Sequence, residues 1–146
     1  MATIYLLNGP NLDLLGVRET AMYGHATLAE IEHSVTAAAA RHGHTIVARQ
    51  TNAEHEMIEY LHEARTEAAG VIINPAGFSY HAVAVLDALK MCACPVVEVH
   101  ITNLHKRDEK WRVNSIISGA ATGSISGLGA HGYVLAVDHI AHLLAS

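Results

Sequence analysis

Two short spacings in this sequence carry the residue types of acid–base chemistry. Glu98 and His100 stand two apart in a run that ends Glu98-Val99-His100-Ile101-Thr102-Asn103. Residues two apart on a strand face the same side, so the carboxylate could orient the imidazole and favour its protonated form. An imidazolium held this way is a general acid. The second spacing is Arg18, Glu19 and Tyr23 within a segment bounded by Gly16 and Gly24. A tyrosine hydroxyl, with a reference pKa of about 10, is a poor base unless a cation stabilises its phenolate, and Arg18 is such a cation. The segment, about 16–24, is too long and polar for a plain connection and reads as a lid. A partly buried histidine often satisfies a carboxylate with no catalytic role, but a place at a strand end favours the catalytic reading.

These residues need a scaffold. Apolar runs of strand length lie at Thr3–Leu7, Thr45–Arg49, Gly70–Ile73, Pro95–Val99 and Gly123–Ser126, with helical periods between them. Thr27 and Glu30 form a capping box for a first helix that ends before Gly43. Further helices are predicted over about Asn52–Ala69, His81–Met91 and Gly132–Leu144. Repeated βα units imply a parallel sheet covered on both faces, and right-handed crossovers leave a flavodoxin-like, doubly wound five-stranded α/β fold as the expected topology. Residues 1–146 fit one domain.

Ligands of such sheets sit beyond the carboxyl ends of the strands. Those ends are polar here: Asn8-Gly9-Pro10-Asn11 after the first strand, Asn74-Pro75-Ala76-Gly77 after the third, and the Glu98–Asn103 run at the fourth. Asn, Gly and Pro are ordinary turn formers. Three such loops converging on one region point to a site.

The remaining composition excludes several classes. The chain is 51% hydrophobic and 16% charged, yet no apolar run approaches the roughly 18 residues of a membrane span. A mean hydropathy of +0.22 suggests surface buried between subunits. The opening run Met1–Gly9 lacks a basic leader and reads as a strand, which points to the cytoplasm. A net charge of -5, with no recurring basic face, gives nucleic acid little to bind, so a small molecule is the expected partner. Cys92 and Cys94 suit neither a mutual disulfide nor zinc and read as buried thiols. The 12 histidines are scattered without a matching carboxylate or thiolate cluster, so no metal is expected. Lys90, Lys106 and Lys110 lie outside apolar strands, leaving no candidate for imine chemistry. Gly127-Leu128-Gly129-Ala130-His131-Gly132 matches a dinucleotide fingerprint, but it lies in the last βα unit with no acidic ribose partner downstream. We read these glycines as a tight turn and close helix packing, and expect no cofactor.

In order along the chain, Leu7-Asn8-Gly9-Pro10-Asn11-Leu12, Leu15-Gly16-Val17-Arg18-Glu19 with Tyr23-Gly24, Ile73-Asn74-Pro75, Glu98-Val99-His100-Ile101-Thr102-Asn103, and Ala121-Thr122-Gly123 through Gly127-Leu128-Gly129 to Gly132-Tyr133 resemble the type II 3-dehydroquinate dehydratases. The resemblance implies a flavodoxin-like fold, trimers assembled into a dodecamer, and cofactor-free anti elimination of water from 3-dehydroquinate through an enolate. By motif, Tyr23 resembles the base that takes the C2 proton, Arg18 its activating cation, His100 the acid for the departing hydroxyl and Glu98 the histidine's partner. Asn11 matches the residue that holds a water beside the enolate oxygen. Asn74, the Ile101 and Thr102 backbone, and Arg112 match substrate contacts, and Asp87 resembles a residue that reaches a neighbouring subunit's site.

The chain departs from the family pattern at Tyr80, where the family has a substrate-binding histidine, and His81 is displaced by one position. Ala76-Gly77 replaces a usual Gly-Ala, Thr20 replaces a proline, and one extra residue falls near Lys110 and Trp111. Two other readings compete. One is the same dehydration on a different cyclic polyhydroxy keto acid. The other is a non-catalytic flavodoxin-like module, although a receiver needs an aspartate where this chain has Asn74 and a flavin carrier would purify yellow.

Overall fold

A computed structural model describes residues 1–146. Its strands are β1 (Thr3–Asn8), β2 (Thr45–Gln50), β3 (Gly70–Asn74), β4 (Val96–His100) and β5 (Gly123–Ser126), all parallel, in the order β2-β1-β3-β4-β5. This is the flavodoxin-like order expected above. The helices are α1 (Thr20–Tyr23), α2 (Leu28–Arg41), α3 (Glu54–Glu67), α4 (Val83–Lys90) and α5 (His131–Leu144). No helix is long and apolar enough to cross a membrane.

Strand alternation divides the core in two. Ile4, Leu6, Ile72, Val97 and Val99 face one side, where α2 brings Ile31 and Val35 and α5 brings Tyr133, Val137 and Ile140. Tyr5, Leu7, Val71, Ile73 and Val96 face the other, against Met57 and Leu61 of α3 and Val85 and Leu89 of α4. The central strands β1, β3 and β4 are thus apolar on both faces, as a covered parallel sheet requires.

Several expected boundaries are corrected by local chemistry. The predicted helix from Asn52 to Ala69 runs only from Glu54 to Glu67: the Thr51 hydroxyl accepts from the Ala53 N–H at 2.9 Å, and the Asn52 side chain bonds back to the Asn11 loop. At its other end Ala68 is extended, and the Ala69 N–H already joins the Thr3 carbonyl. The helix predicted from His81 begins at Val83, because Ala76–Tyr80 forms a 3-10 turn and His81, at φ -153°, leaves helical geometry. The fourth strand starts at Val96 and not Pro95, since proline has no N–H for the ladder; its carbonyl still accepts from Val71 at 2.9 Å.

The Thr27 cap holds, accepting from the Glu30 N–H at 3.2 Å, but the Glu30 carboxylate reaches the Thr27 hydroxyl and not the backbone. The β4–β5 connection carries no α-helix, so the repeated βα pattern is interrupted there. It is built from 3-10 turns at Leu104–Lys106, Lys110–Val113 and Ile116–Ala120. Cys92 and Cys94 are free and only half-buried, and burial pushes the Cys92 thiol up to about 11.

Candidate active site

His100 closes β4, and its Nε2 lies 2.5 Å from Glu98 Oε2, both residues buried. The other carboxylate oxygen accepts from the Ser118 hydroxyl at 2.6 Å. Burial would push the Glu98 carboxyl up, but hydrogen bonds from His100 and Ser118 outweigh it and hold it below its ordinary range. The Ser115 hydroxyl adds to this effect, although its geometry falls short of a hydrogen bond. An ionised carboxylate only accepts, so Nε2 carries the shared proton and Nδ1 is left as the ring atom able to exchange one with a ligand.

The lid holds the second constellation. Leu12 and Leu15 are buried at its base, Glu19 sits at φ 23° and Gly24 at φ 80°, and α1 is the single turn between them. Arg18 does not meet the Tyr23 hydroxyl. Its guanidinium carbon stacks 4.2 Å from the ring centroid while its Nε pairs with Glu19 at 3.1 Å. The cation at the oxygen is Arg107, whose Nη1 donates to the Tyr23 hydroxyl at 3.3 Å and to Thr102 Oγ1 at 3.0 Å. Sequence reading missed Arg107, because Lys106-Arg107-Asp108 looks like a solvated charge run. Its place just beyond the third polar strand end was the available signal.

The strand ends that approach this lid are tied together beneath it. Asn74 Nδ2 donates to the Tyr133 hydroxyl at 2.7 Å, and that hydroxyl donates to Asn8 Oδ1 at 2.8 Å, joining β1, β3 and α5 through buried groups. Gly9 follows β1 so closely to β3 that a Cβ there would stand 2.4 Å from the Pro75 carbonyl oxygen. Asn11 then takes the left-handed conformation at φ 69°. After β5, the glycines of the discounted fingerprint behave as a turn: Gly127 has φ 87°, and a Cβ there would meet the Asn103 backbone at 3.0 Å.

Tyr80 and Arg112 come from two connections that meet at the far wall. The Tyr80 hydroxyl donates to the Arg112 carbonyl at 3.1 Å, its ring meets Trp111 edge-on at 4.9 Å, and Arg112 pairs with Glu109 at 2.9 Å. Burial pushes the Tyr80 hydroxyl up, so it is a neutral donor. His81 is exposed and turned to Phe78, away from this wall.

One cavity of about 160 Å³ is lined by Asn11, Arg18, Tyr23, Asn74, Tyr80, His100, Ile101, Thr102 and Arg112, together with the unforeseen Arg107. Glu98 stands behind His100 and does not reach it, and Asp87, exposed on α4, lies outside it. A larger recess of about 630 Å³ opens beyond Tyr23 and Arg107 but contains neither His100 nor Asn74. We place the site in the smaller cavity, where an acid pair, a cation-backed phenol and amide donors meet. No group of three or more His, Cys, Asp or Glu side chains is placed to hold a metal ion.

Known proteins resemble the chain over nearly its full length. The family profile described as "Dehydroquinase class II" matches residues 2–141. A 3-dehydroquinate dehydratase of Methylobacterium radiotolerans is 48% identical over 143 residues, covering 98% of this chain and 95% of the relative. One from Streptomyces coelicolor is 50% identical over 143 residues, covering 97% and 90%. Among solved structures, the type II dehydroquinase of Propionibacterium acnes superposes with a TM-score of 0.93 at 38% identity, covering 97% of each chain. A 3-dehydroquinate dehydratase-like protein of Bifidobacterium longum superposes at 0.76 with 32% identity, covering 100% of each chain. With sheet order, cavity and full-length similarity in agreement, the chain belongs to the class II dehydroquinase family.

Proposed function

We propose that the protein removes water from 3-dehydroquinate to give 3-dehydroshikimate, without metal or cofactor. Tyr23, as phenolate, takes the C2 proton and leaves an enolate. His100 then gives its Nδ1 proton to the departing C1 hydroxyl, which leaves as water while the double bond forms. Asn11, which lines the cavity, holds a water beside the oxygen on which the enolate charge gathers, where preorganised donors act most strongly. Asn74, Arg112 and the Ile101 and Thr102 backbone hold the substrate. The carrying observation is that Tyr23, with Arg107 at its oxygen, and His100, with Glu98 behind it, line one cavity. The test is incubation with 3-dehydroquinate alone, following the enone absorbance of the product. Turnover that survives chelator, and borohydride added with substrate, is expected; no turnover overturns the proposal.

A second reading keeps the chemistry and changes the substrate to another cyclic polyhydroxy keto acid. It is favoured by Tyr80, whose hydroxyl is engaged by the Arg112 carbonyl where the family places a substrate-binding histidine. Parallel assays on both substrate classes separate the two.

We further propose a cytoplasmic homo-oligomer built of trimers, assembled as a dodecamer. Asp87 is exposed on the outer side of α4 between Val83 and Met91, which are 58% and 50% exposed, so an apolar surface flanks a carboxylate that its own cavity does not use. A trimer as the smallest active species is expected on dilute sizing, and an active monomer overturns it.

A further inference from the structure

We infer that Asn52, braced by Gln50, is a positioning residue for catalysis that sets Asn11 in the cavity. The inference rests on the dehydratase reading above and adds residues outside the cavity to it. Asn11 lines the site, and its carboxamide has no hydrogen-bond partner within the chain, so that group is free for a ligand. Its backbone, at φ 69° and ψ 0°, lies in the left-handed region, which asparagine enters more readily than other non-glycine residues but still at a cost, so contacts that fix it there matter.

Side chains at and just after the end of β2 hold it there. The Asn11 N–H donates to Asn52 Oδ1 at 2.9 Å, across 41 residues. Gln50 Nε2 donates to that same Oδ1 at 3.1 Å and to the Gly9 carbonyl at 3.1 Å. On the other side, the Gly9 N–H donates to the Asn74 carbonyl at 2.8 Å. The turn from Gly9 to Asn11 is therefore clamped between the ends of β2 and β3. The only side-chain acceptor for the Asn11 N–H comes from Asn52, a surface residue of the β2–α3 connection that never touches the cavity. Removing that acceptor frees Asn11 to relax toward ordinary dihedrals, which moves its carboxamide from its place in the cavity wall.

The test uses the intact oligomer and three variants. Asn52→Ala is expected to lower kcat about 10-fold with KM nearly unchanged, since a misplaced group costs rate before it costs binding. Asn52→Asp keeps an acceptor for both donors and is expected to restore most of kcat. Gln50→Ala is expected to fall between. In hydrogen exchange, the peptide spanning Gly9 to Leu12 should exchange faster in Asn52→Ala while the peptides of β4 are unchanged. Normal kcat in Asn52→Ala overturns the inference, as does a joint loss of kcat and thermal stability that Asn52→Asp fails to repair. If the wild type does not act on 3-dehydroquinate, the dehydratase reading fails by itself, and unchanged exchange at Gly9 to Leu12 then overturns the anchor separately.

Discussion

Arg107 and Tyr23, separated by 84 residues, share a 3.3 Å hydrogen bond from guanidinium to phenol oxygen, while Arg18, five residues from Tyr23, lies against the ring face. The two arginines therefore do different things. Arg107 faces the phenol oxygen proposed to accept the proton, and Arg18 packs on the ring proposed to carry it. Arg107→Ala is expected to reduce kcat by roughly 10²-fold, comparable to Tyr23→Phe. Arg18→Ala should cost less in kcat and more in lid order, read as faster exchange in the peptide from Gly16 to Gly24. A milder effect for Arg107→Ala than for Arg18→Ala would reverse this division of labour.

The His100–Glu98–Ser118 chain carries a pH signature whose sign follows from the lowered Glu98 carboxyl. A carboxyl held below its ordinary value contributes stability above about pH 4.5, and loses it as pH falls through the lowered value. The stability gap between wild type and Glu98→Gln should therefore be widest near neutrality and close progressively below about pH 4.5. Glu98→Gln also lets the ring take the other tautomer and should reduce kcat by roughly 10²-fold. A gap that widens on acidification would refute the assignment.

Strand count, strand order and the convergence of three polar loops are legible in the sequence because they rest on local signals: short Val- and Ile-rich runs and Asn-Gly-Pro clusters at their ends. The Glu98–His100 pair is legible for the same reason, since a two-residue spacing on a strand fixes a shared side. Arg107 and Ser118 are not, because each reaches its partner from the β4–β5 connection, whose 3-10 turns carry no apolar period to place them. Arg18 is legible only in part: proximity in sequence puts it beside Tyr23 but does not say which face of the ring it meets.

Ala76 is a site of strain that the sequence pattern explains only after the backbone is seen. It sits at φ 48°, held by its N–H bond to Asn74 Oδ1 at 3.2 Å, at the position where the related pattern has glycine. An alanine in this region costs about 1 kcal/mol relative to its ordinary conformations. Ala76→Gly is expected to raise the melting temperature by no more than about 2 °C, because the relief of about 1 kcal/mol is largely offset by the loss of chain stiffness. A lower melting temperature would show that the surrounding turn removes the penalty.

Tyr80 is expected to govern how well the cavity fits 3-dehydroquinate. Its hydroxyl is a neutral donor engaged by the Arg112 carbonyl at 3.1 Å, and its ring is wedged edge-on against Trp111. It therefore braces the wall that carries Arg112 and offers a substrate hydroxyl little in return. A substrate group left without its partner in a buried site loses roughly 1–3 kcal/mol of binding. Tyr80→His should restore a ring nitrogen to the cavity and raise kcat/KM on 3-dehydroquinate by about tenfold, the equivalent of about 1.4 kcal/mol. Tyr80→Phe supplies the control: it removes the bond to Arg112 without adding a partner, so KM should rise and kcat/KM fall. If Tyr80→His instead weakens turnover while Tyr80→Phe is harmless, the phenol is an accepted replacement for the imidazole, and the brace on Arg112 has no part in selecting the substrate.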